Sequence, residues 1–199
     1  MFPIQSFKYP NGKFGAYVYK SGYQSTNAIF GRPIAPFINR HRLDSDEGRS
    51  ILLFPVRHPV DRFTSGVNTV RKNKKYSEHS VDQLITMLEE NTFRNLHFMD
   101  ISTVLRNACF CFDDIHLYKF PDHYNQMLAD GGYDGEIPHK NKSVKKLILT
   151  DSQQKRVEEY YKTDIAIFDS IKEAGQKFLF FKSTNKQNRT SNICGNAVL

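Results

Sequence analysis

The sequence predicts an α/β fold around a parallel sheet, and three observations carry that prediction. Residues 51–56, Ile-Leu-Leu-Phe-Pro-Val, form a continuous apolar run of the kind buried on both faces of a parallel sheet. Two shorter β-prone runs, residues 14–19 and 115–120, lie before and after it. Each of the three is followed by a helical pattern, and such alternation points to parallel strands joined by helical crossovers.

The elements follow in order. Pro10-Asn11-Gly12 is a turn signal, and Phe14-Gly-Ala-Tyr-Val-Tyr19 then reads as a strand. It feeds Lys20-Ser21-Gly22 and a helix from about Ser25 to Phe30, while residues 32–50 read as a loop. After the strand at 51–56, Pro59 suits the first turn of a helix. Phe63, Val67 and Val70 give that helix a core face to about residue 71. Ser80 and Gln83 make a capping box ahead of Val81, Leu84, Ile85 and Leu88. The alternation of Cys109-Phe110-Cys111 suggests a strand with both thiols on one side. Residues 115–120 are the third strand candidate, with a short helix from Pro121 towards Leu128.

Residues 130–148 form a Gly- and Lys-rich connection. Thr150 and Gln153 are a second capping box, opening one helix with an apolar stripe of Val157, Tyr160, Tyr161, Ile165, Phe168 and Ile171. The expected organisation is one domain over residues 1–181 and a polar, disordered tail over 182–199.

Composition narrows the function. The chain has 199 residues, 39% hydrophobic and 25% charged, which suits a single globular domain. Its net charge of +7 favours an anionic ligand or partner. Three cysteines, Cys109, Cys111 and Cys194, make no disulfide framework and no zinc-ligand spacing, so a reducing compartment and no metal are expected. No run approaches the ~20 apolar residues needed to span a bilayer, and no signal sequence opens the chain. Cytoplasmic residence without membrane insertion is therefore the expectation.

Two strand-to-helix junctions carry the chemistry. Lys20-Ser21-Gly22-Tyr23-Gln24-Ser25-Thr26 offers a cation, a flexible glycine and hydroxyls where helix amides point outward, which is the chemistry of a phosphate cradle. It lacks the Walker A spacing. Arg57-His58-Pro59-Val60-Asp61-Arg62-Phe63-Thr64-Ser65 places a guanidinium and a hydroxyl eight residues apart around a second helix entrance.

Together the two junctions resemble those of the sulfotransferases that use 3′-phosphoadenosine 5′-phosphosulfate (PAPS). The family's first junction holds the 5′-phosphosulfate, and its Arg-[Asp]-Pro-x-x-Arg-x-x-Ser motif holds the 3′-phosphate. Ile137-Pro138-His139-Lys140-Asn141-Lys142-Ser143 and the Tyr160-to-Phe168 segment look like the C-terminal half of the carbohydrate (Golgi-type) branch, so the resemblance covers about residues 14–172. It implies a P-loop-like three-layer sandwich with a central, mostly parallel sheet flanked by helices. It also implies PAPS as co-substrate, no metal, and a hydroxyl or amine acceptor, in the first instance a saccharide. The chain departs from the motif at His58, where the family carries aspartate.

The resemblance assigns roles. Lys20 would neutralise charge on the leaving 5′-phosphate, with Ser21, Gly22, Ser25 and Thr26 cradling it. Arg57 and Ser65 would grip the 3′-phosphate, with Lys140 and Lys142, and Lys145 beside them, closing over it. Arg62 is expected in a supporting ion pair. The catalytic base is expected at His41, in the loop between the motifs, with Asp44, Asp46 and Glu47 as rivals and His97, His58 and His139 behind them.

Two other readings compete. A kinase-like phosphotransferase would also use a strand-loop-helix phosphate site. A basic nucleic-acid-binding module would use the positive charge and ten tyrosines, although Tyr9, Tyr17, Tyr19, Tyr23, Tyr160 and Tyr161 fall in apparent core elements, so nucleic acid is not expected as a partner.

Overall fold

The computed structural model describes residues 6–16, 18, 20–31, 50–93, 95–109, 111–137 and 147–179. The expected boundary between domain and tail at 181/182 lies outside these residues, as do His41, Asp44, Asp46, Glu47, His139, Lys140, Lys142 and Lys145. In chain order the elements are β1 (Ser6–Lys8), β2 (Phe14–Ala16), α1 (Tyr23–Phe30), β3 (Ile51–Arg57) and α2 (Pro59–Val70). There follow α3 (Val81–Glu89), α4 (Ile101–Ala108), β4 (Asp114–Phe120), α5 (Tyr124–Asp130), α6 (Asp151–Tyr160), α7 (Lys162–Ser170) and β5 (Gln176–Lys177).

The five strands form one open sheet in chain order, β1-β2-β3-β4-β5. β2, β3 and β4 are parallel neighbours, in registers that pair Gly15 with Leu53 and Arg57 with Phe120. β1 and β5 add antiparallel edges. The sheet is thus mixed rather than mostly parallel: its parallel part is the middle, and two short edge strands escaped the sequence pattern. Such strands are too brief to show a period.

β3 explains why the middle is parallel. Leu52, Phe54 and Val56 enter one core with Ile101, Val104, Leu105 and Ala108 of α4, Ile115 and Leu117 of β4, and Ile167 of α7. Leu53 enters another core with Tyr118 of β4 and Tyr124, Met127 and Leu128 of α5, against which Tyr23, Ile29 and Phe30 of α1 pack. Apolar side chains on both sides of one strand need cover on both sides, and helices supply it. A third core joins α2, α3 and α6 through Phe63, Val67, Leu84, Ile85, Leu88 and Val157.

Both expected capping boxes form. Ser80 and Thr150 each accept from the amide three residues on, and Gln83 and Gln153 return the bond to the cap amide. Two other expectations need correction. Cys109 and Cys111 belong to no strand, and Phe110 lies outside the described residues: Cys109 caps α4 in right-handed helical geometry, and the helical spacing Ile101, Val104, Leu105, Ala108 and Phe112 overrides the local alternation. The single helix expected after Thr150 is two, broken at Tyr161, whose φ of −99° and ψ of 21° end α6 and begin α7. Among the described residues, no helix is long and apolar enough to cross a membrane.

Candidate functional site: two anion-suited junctions on neighbouring strands

The first junction follows β2. Lys20 adopts φ 67°, a left-handed conformation that a side chain disfavours by about 1–2 kcal/mol. Two bonds hold it there: the Ser21 amide donates to the Val18 carbonyl at 3.0 Å, and Arg57 donates to the Lys20 carbonyl at 2.9 Å. Gly22 follows at φ 85° and stands at the cap of α1, where it offers no side chain to the first amides of the helix. A Cβ at Gly22 would come within 3.0 Å of both the Phe120 and Tyr124 rings, so space and conformation select glycine alike. The Ser21 hydroxyl is buried, 1% exposed, and has no hydrogen-bond partner among the described residues.

The second junction follows β3, the parallel neighbour of β2, so both loops leave the same end of the sheet. That end is where open α/β sheets place their ligands. Pro59 begins α2 as expected, and Asp61 in its first turn complements the helix dipole. His58 stands at the cap but makes no side-chain cap bond. Its ring meets Phe168 of α7 edge-on, with centroids 5.2 Å apart, and the Lys119 ammonium lies 4.7 Å from the same Phe168 ring. His58 thus makes a packing contact between the start of α2 and α7.

Positive charge concentrates between the junctions. The Lys20 ammonium donates to the Thr69 hydroxyl of α2, which in turn donates to the Ser65 carbonyl at 3.2 Å. Burial lowers the pKa of Lys20 below its ordinary value, and the cations Lys72 and Arg57 lower it further. Burial likewise lowers Arg57, with Asp61 opposing and Arg62 reinforcing the shift. The Arg57 guanidinium also lies 6.0 Å from the Phe120 ring. A half-buried lysine depressed by neighbouring cations is relieved by an anion.

Behind the site, Arg62 makes the expected supporting ion pair. It donates to Asp164 of α7 at 2.7 Å, with the two side chains 2% and 1% exposed. Asp164 also accepts from the amides of Ile101 at 2.7 Å and Ser102 at 2.9 Å, at the entrance to α4. Burial raises its pKa, and Arg62 and the two amides act against that rise. Arg62 further donates to the Met99 carbonyl and lies 5.0 Å from the Tyr161 ring. The Tyr161 hydroxyl donates to the Phe98 carbonyl at 2.6 Å. One ionised hub thus ties α2, α4 and α7 together.

Of the sequence-predicted residues, the structure brings Lys20, Ser21, Gly22 and Arg57 into one site through the Arg57–Lys20 bond. Ser65 is half-buried on α2 below Thr69. Ser25 lies on α1, half-buried. The Thr26 hydroxyl is engaged with the Tyr124 hydroxyl at 2.7 Å, inside the protein rather than towards a ligand. Thr69 and Lys72 were missed. Thr69 was readable as the residue one helical turn beyond Ser65, whereas nothing local marks Lys72. His97, a secondary histidine in the sequence, lies close enough to Lys20 for that charge to act on it. Of the six tyrosines expected in core elements, Tyr9 and Tyr161 are buried, Tyr23 and Tyr160 are half-buried, and Tyr17 and Tyr19 lie outside the described residues. The arrangement can hold two anionic groups, one at each junction. Set against known proteins, the chain matches no family model, no curated protein and no solved structure.

Proposed function

We propose that the two junctions hold PAPS, and that the protein transfers its sulfuryl group to a hydroxyl or amine acceptor, a saccharide in the first instance. The observation that carries this reading is the direct bond from Arg57 to the Lys20 carbonyl, which joins two anion-suited loops at one end of neighbouring parallel strands. On this reading Lys20 and the first amides of α1 take the 5′-phosphosulfate, and Arg57 and Ser65 take the 3′-phosphate. Transfer is in line: the acceptor oxygen or nitrogen forms its bond to sulfur as the bridging S–O bond breaks, and the electron pair passes to the 5′-phosphate. Lys20 stabilises that developing charge. Helix cover on both faces of β3 is what supports reading the fold as a P-loop-like three-layer sandwich, with β1 and β5 as edge additions.

Calorimetry with adenosine 3′,5′-bisphosphate tests the reading. Wild type should bind, and Arg57→Ala should lose about 1.5–3 kcal/mol, roughly 10- to 150-fold in Kd. Adenosine 5′-phosphosulfate, which lacks the 3′-phosphate, should lose less, because the same substitution costs it only the Arg57 bond that steadies the Lys20 turn. Absence of binding to folded wild type would sink the assignment. A loss shared equally by both nucleotides would move the 3′-phosphate away from Arg57. Preference for ATP with magnesium would favour the phosphotransferase instead.

A further inference from the structure

Gly66 and Thr69 lie three residues apart on α2 and therefore share a face. At Thr69 that face receives the Lys20 ammonium. At Gly66 it receives the segment between α3 and α4: a Cβ there would stand 3.4 Å from the His97 carbonyl and 2.9 Å from the Phe98 ring. The missing side chain at position 66 thus lets residues 97 and 98 close on α2 beside the first junction. The segment is fixed on both sides of His97. Its amide donates to Asn95 Oδ1 at 3.0 Å, and Phe98 is buried against Phe63 while its carbonyl accepts from Tyr161.

The His97 ring is partly buried, with Nδ1 inside the protein. Burial, and after it the charge of Lys20, lowers its pKa to about 4. Behind Lys20 stand Lys72 and Arg57, both positive. The other charged groups nearby are engaged elsewhere: Arg62 of α2 with Asp164, and Asp100 with the Thr103 amide that it caps at 2.6 Å. His97 is therefore neutral at pH 7, as a proton acceptor must be, and the cation that weakens its basicity is the one that would face the donor's phosphosulfate.

We propose that His97 is the site's proton acceptor, engaged only once an anion occupies the Lys20 junction, so that the donor must be seated before the acceptor is deprotonated. This rests on the reading of the junctions as a PAPS site. As the acceptor oxygen bonds to sulfur and the S–O bond to the 5′-phosphate breaks, the hydroxyl proton passes to the neutral imidazole. The electron pair of the broken bond remains on the phosphate, against Lys20. An anion at Lys20 offsets the charge that weakens His97, so donor binding itself prepares the base.

Three measurements test this. In an NMR titration, with the His97 resonances assigned by their loss in His97→Gln, the midpoint should rise by at least roughly a few tenths of a pH unit on saturation with adenosine 3′,5′-bisphosphate, which relieves the part of the depression that Lys20 causes. Lys20→Met without nucleotide should raise the same midpoint, which checks the pair independently of any ligand. With water as the acceptor, His97→Gln should consume PAPS at least about 100-fold more slowly than wild type, while its Kd for adenosine 3′,5′-bisphosphate stays within about threefold. Nucleotide that binds without moving the midpoint overturns the proposal and leaves the donor reading intact. Failure of wild type to bind overturns both. PAPS hydrolysis unchanged in His97→Gln but lost in His41→Ala would give the role to His41.

Discussion

Asp164→Asn should be among the most destabilising single substitutions in the protein. The wild-type carboxylate faces three donors, Arg62 and the amides of Ile101 and Ser102, all within 2.9 Å. Asparagine keeps one acceptor oxygen and turns an NH2 group towards donors, leaving the Arg62 guanidinium buried without a counter-charge. Breaking a buried pair from one side costs about 3–5 kcal/mol, a large share of the ~5–15 kcal/mol that holds a domain folded. At about 2–4 °C per kcal/mol for a chain of this size, Tm should fall by roughly 6–20 °C. Thermal unfolding by circular dichroism at pH 7, with urea titration as a check on the slope m, measures it. Replacing both partners, Arg62→Met with Asp164→Leu, should recover a substantial part of the loss, because no charge is then left alone. A fall in Tm below about 2 °C, or a double variant no more stable than Asp164→Asn, would refute the hub.

Two further predictions concern the site. Gly22→Ala places a methyl at φ 85° and within 3.0 Å of two rings, so it should destabilise the protein by about 2–4 kcal/mol, read from the urea midpoint. A loss below about 0.5 kcal/mol would mean the turn tolerates a side chain. The lowered pKa of His97 makes stability pH-dependent with a definite sign. Its folded-state value, about 4, lies below the ordinary 6.5, so the unfolded chain takes up the proton first as pH falls. That stabilising contribution is whole above pH 6.5 and lost as the pH falls from about 6.5 to about 4. Urea midpoints over that window should fall less steeply in His97→Gln than in wild type, and parallel slopes would contradict the placement of His97.

What was legible in the sequence was what is local. Ile51–Val56 announced a doubly covered strand because an apolar run without alternation has few other fates. Ser80 and Thr150 announced helix starts because a capping box is complete within four residues. α4 was not recognised, because Asp100 caps it without the Gln that marks the other two. The break at Tyr161 was hidden for a different reason. Its apolar stripe continues unbroken through both helices, and what splits them is reach: Tyr161 is drawn to Phe98, and Asp164 to Arg62 and the α4 entrance. In the site, Lys20 and Arg57 were visible by residue type and position, but their bond depends on sheet order, which no junction encodes by itself. His97 was visible only as a reserve candidate for the base, behind His41 and its rivals. Its nearness to Lys20 depends on Gly66, an unremarkable glycine in a helix until Phe98 is seen against it.

The Arg62–Asp164 pair spans 102 residues of chain. Its guanidinium belongs to α2, the helix that opens the second junction, while its carboxylate belongs to α7. Until α7 docks, Arg62 lacks its buried counter-charge and the α4 entrance lacks the Asp164 acceptor for the Ile101 and Ser102 amides, so α2 can pack on α3 and α6 but is not yet tied to α4. Ligand affinity should therefore be among the last properties to emerge as the protein folds. A chain lacking α7 would carry every residue of both junctions and still lack a competent site.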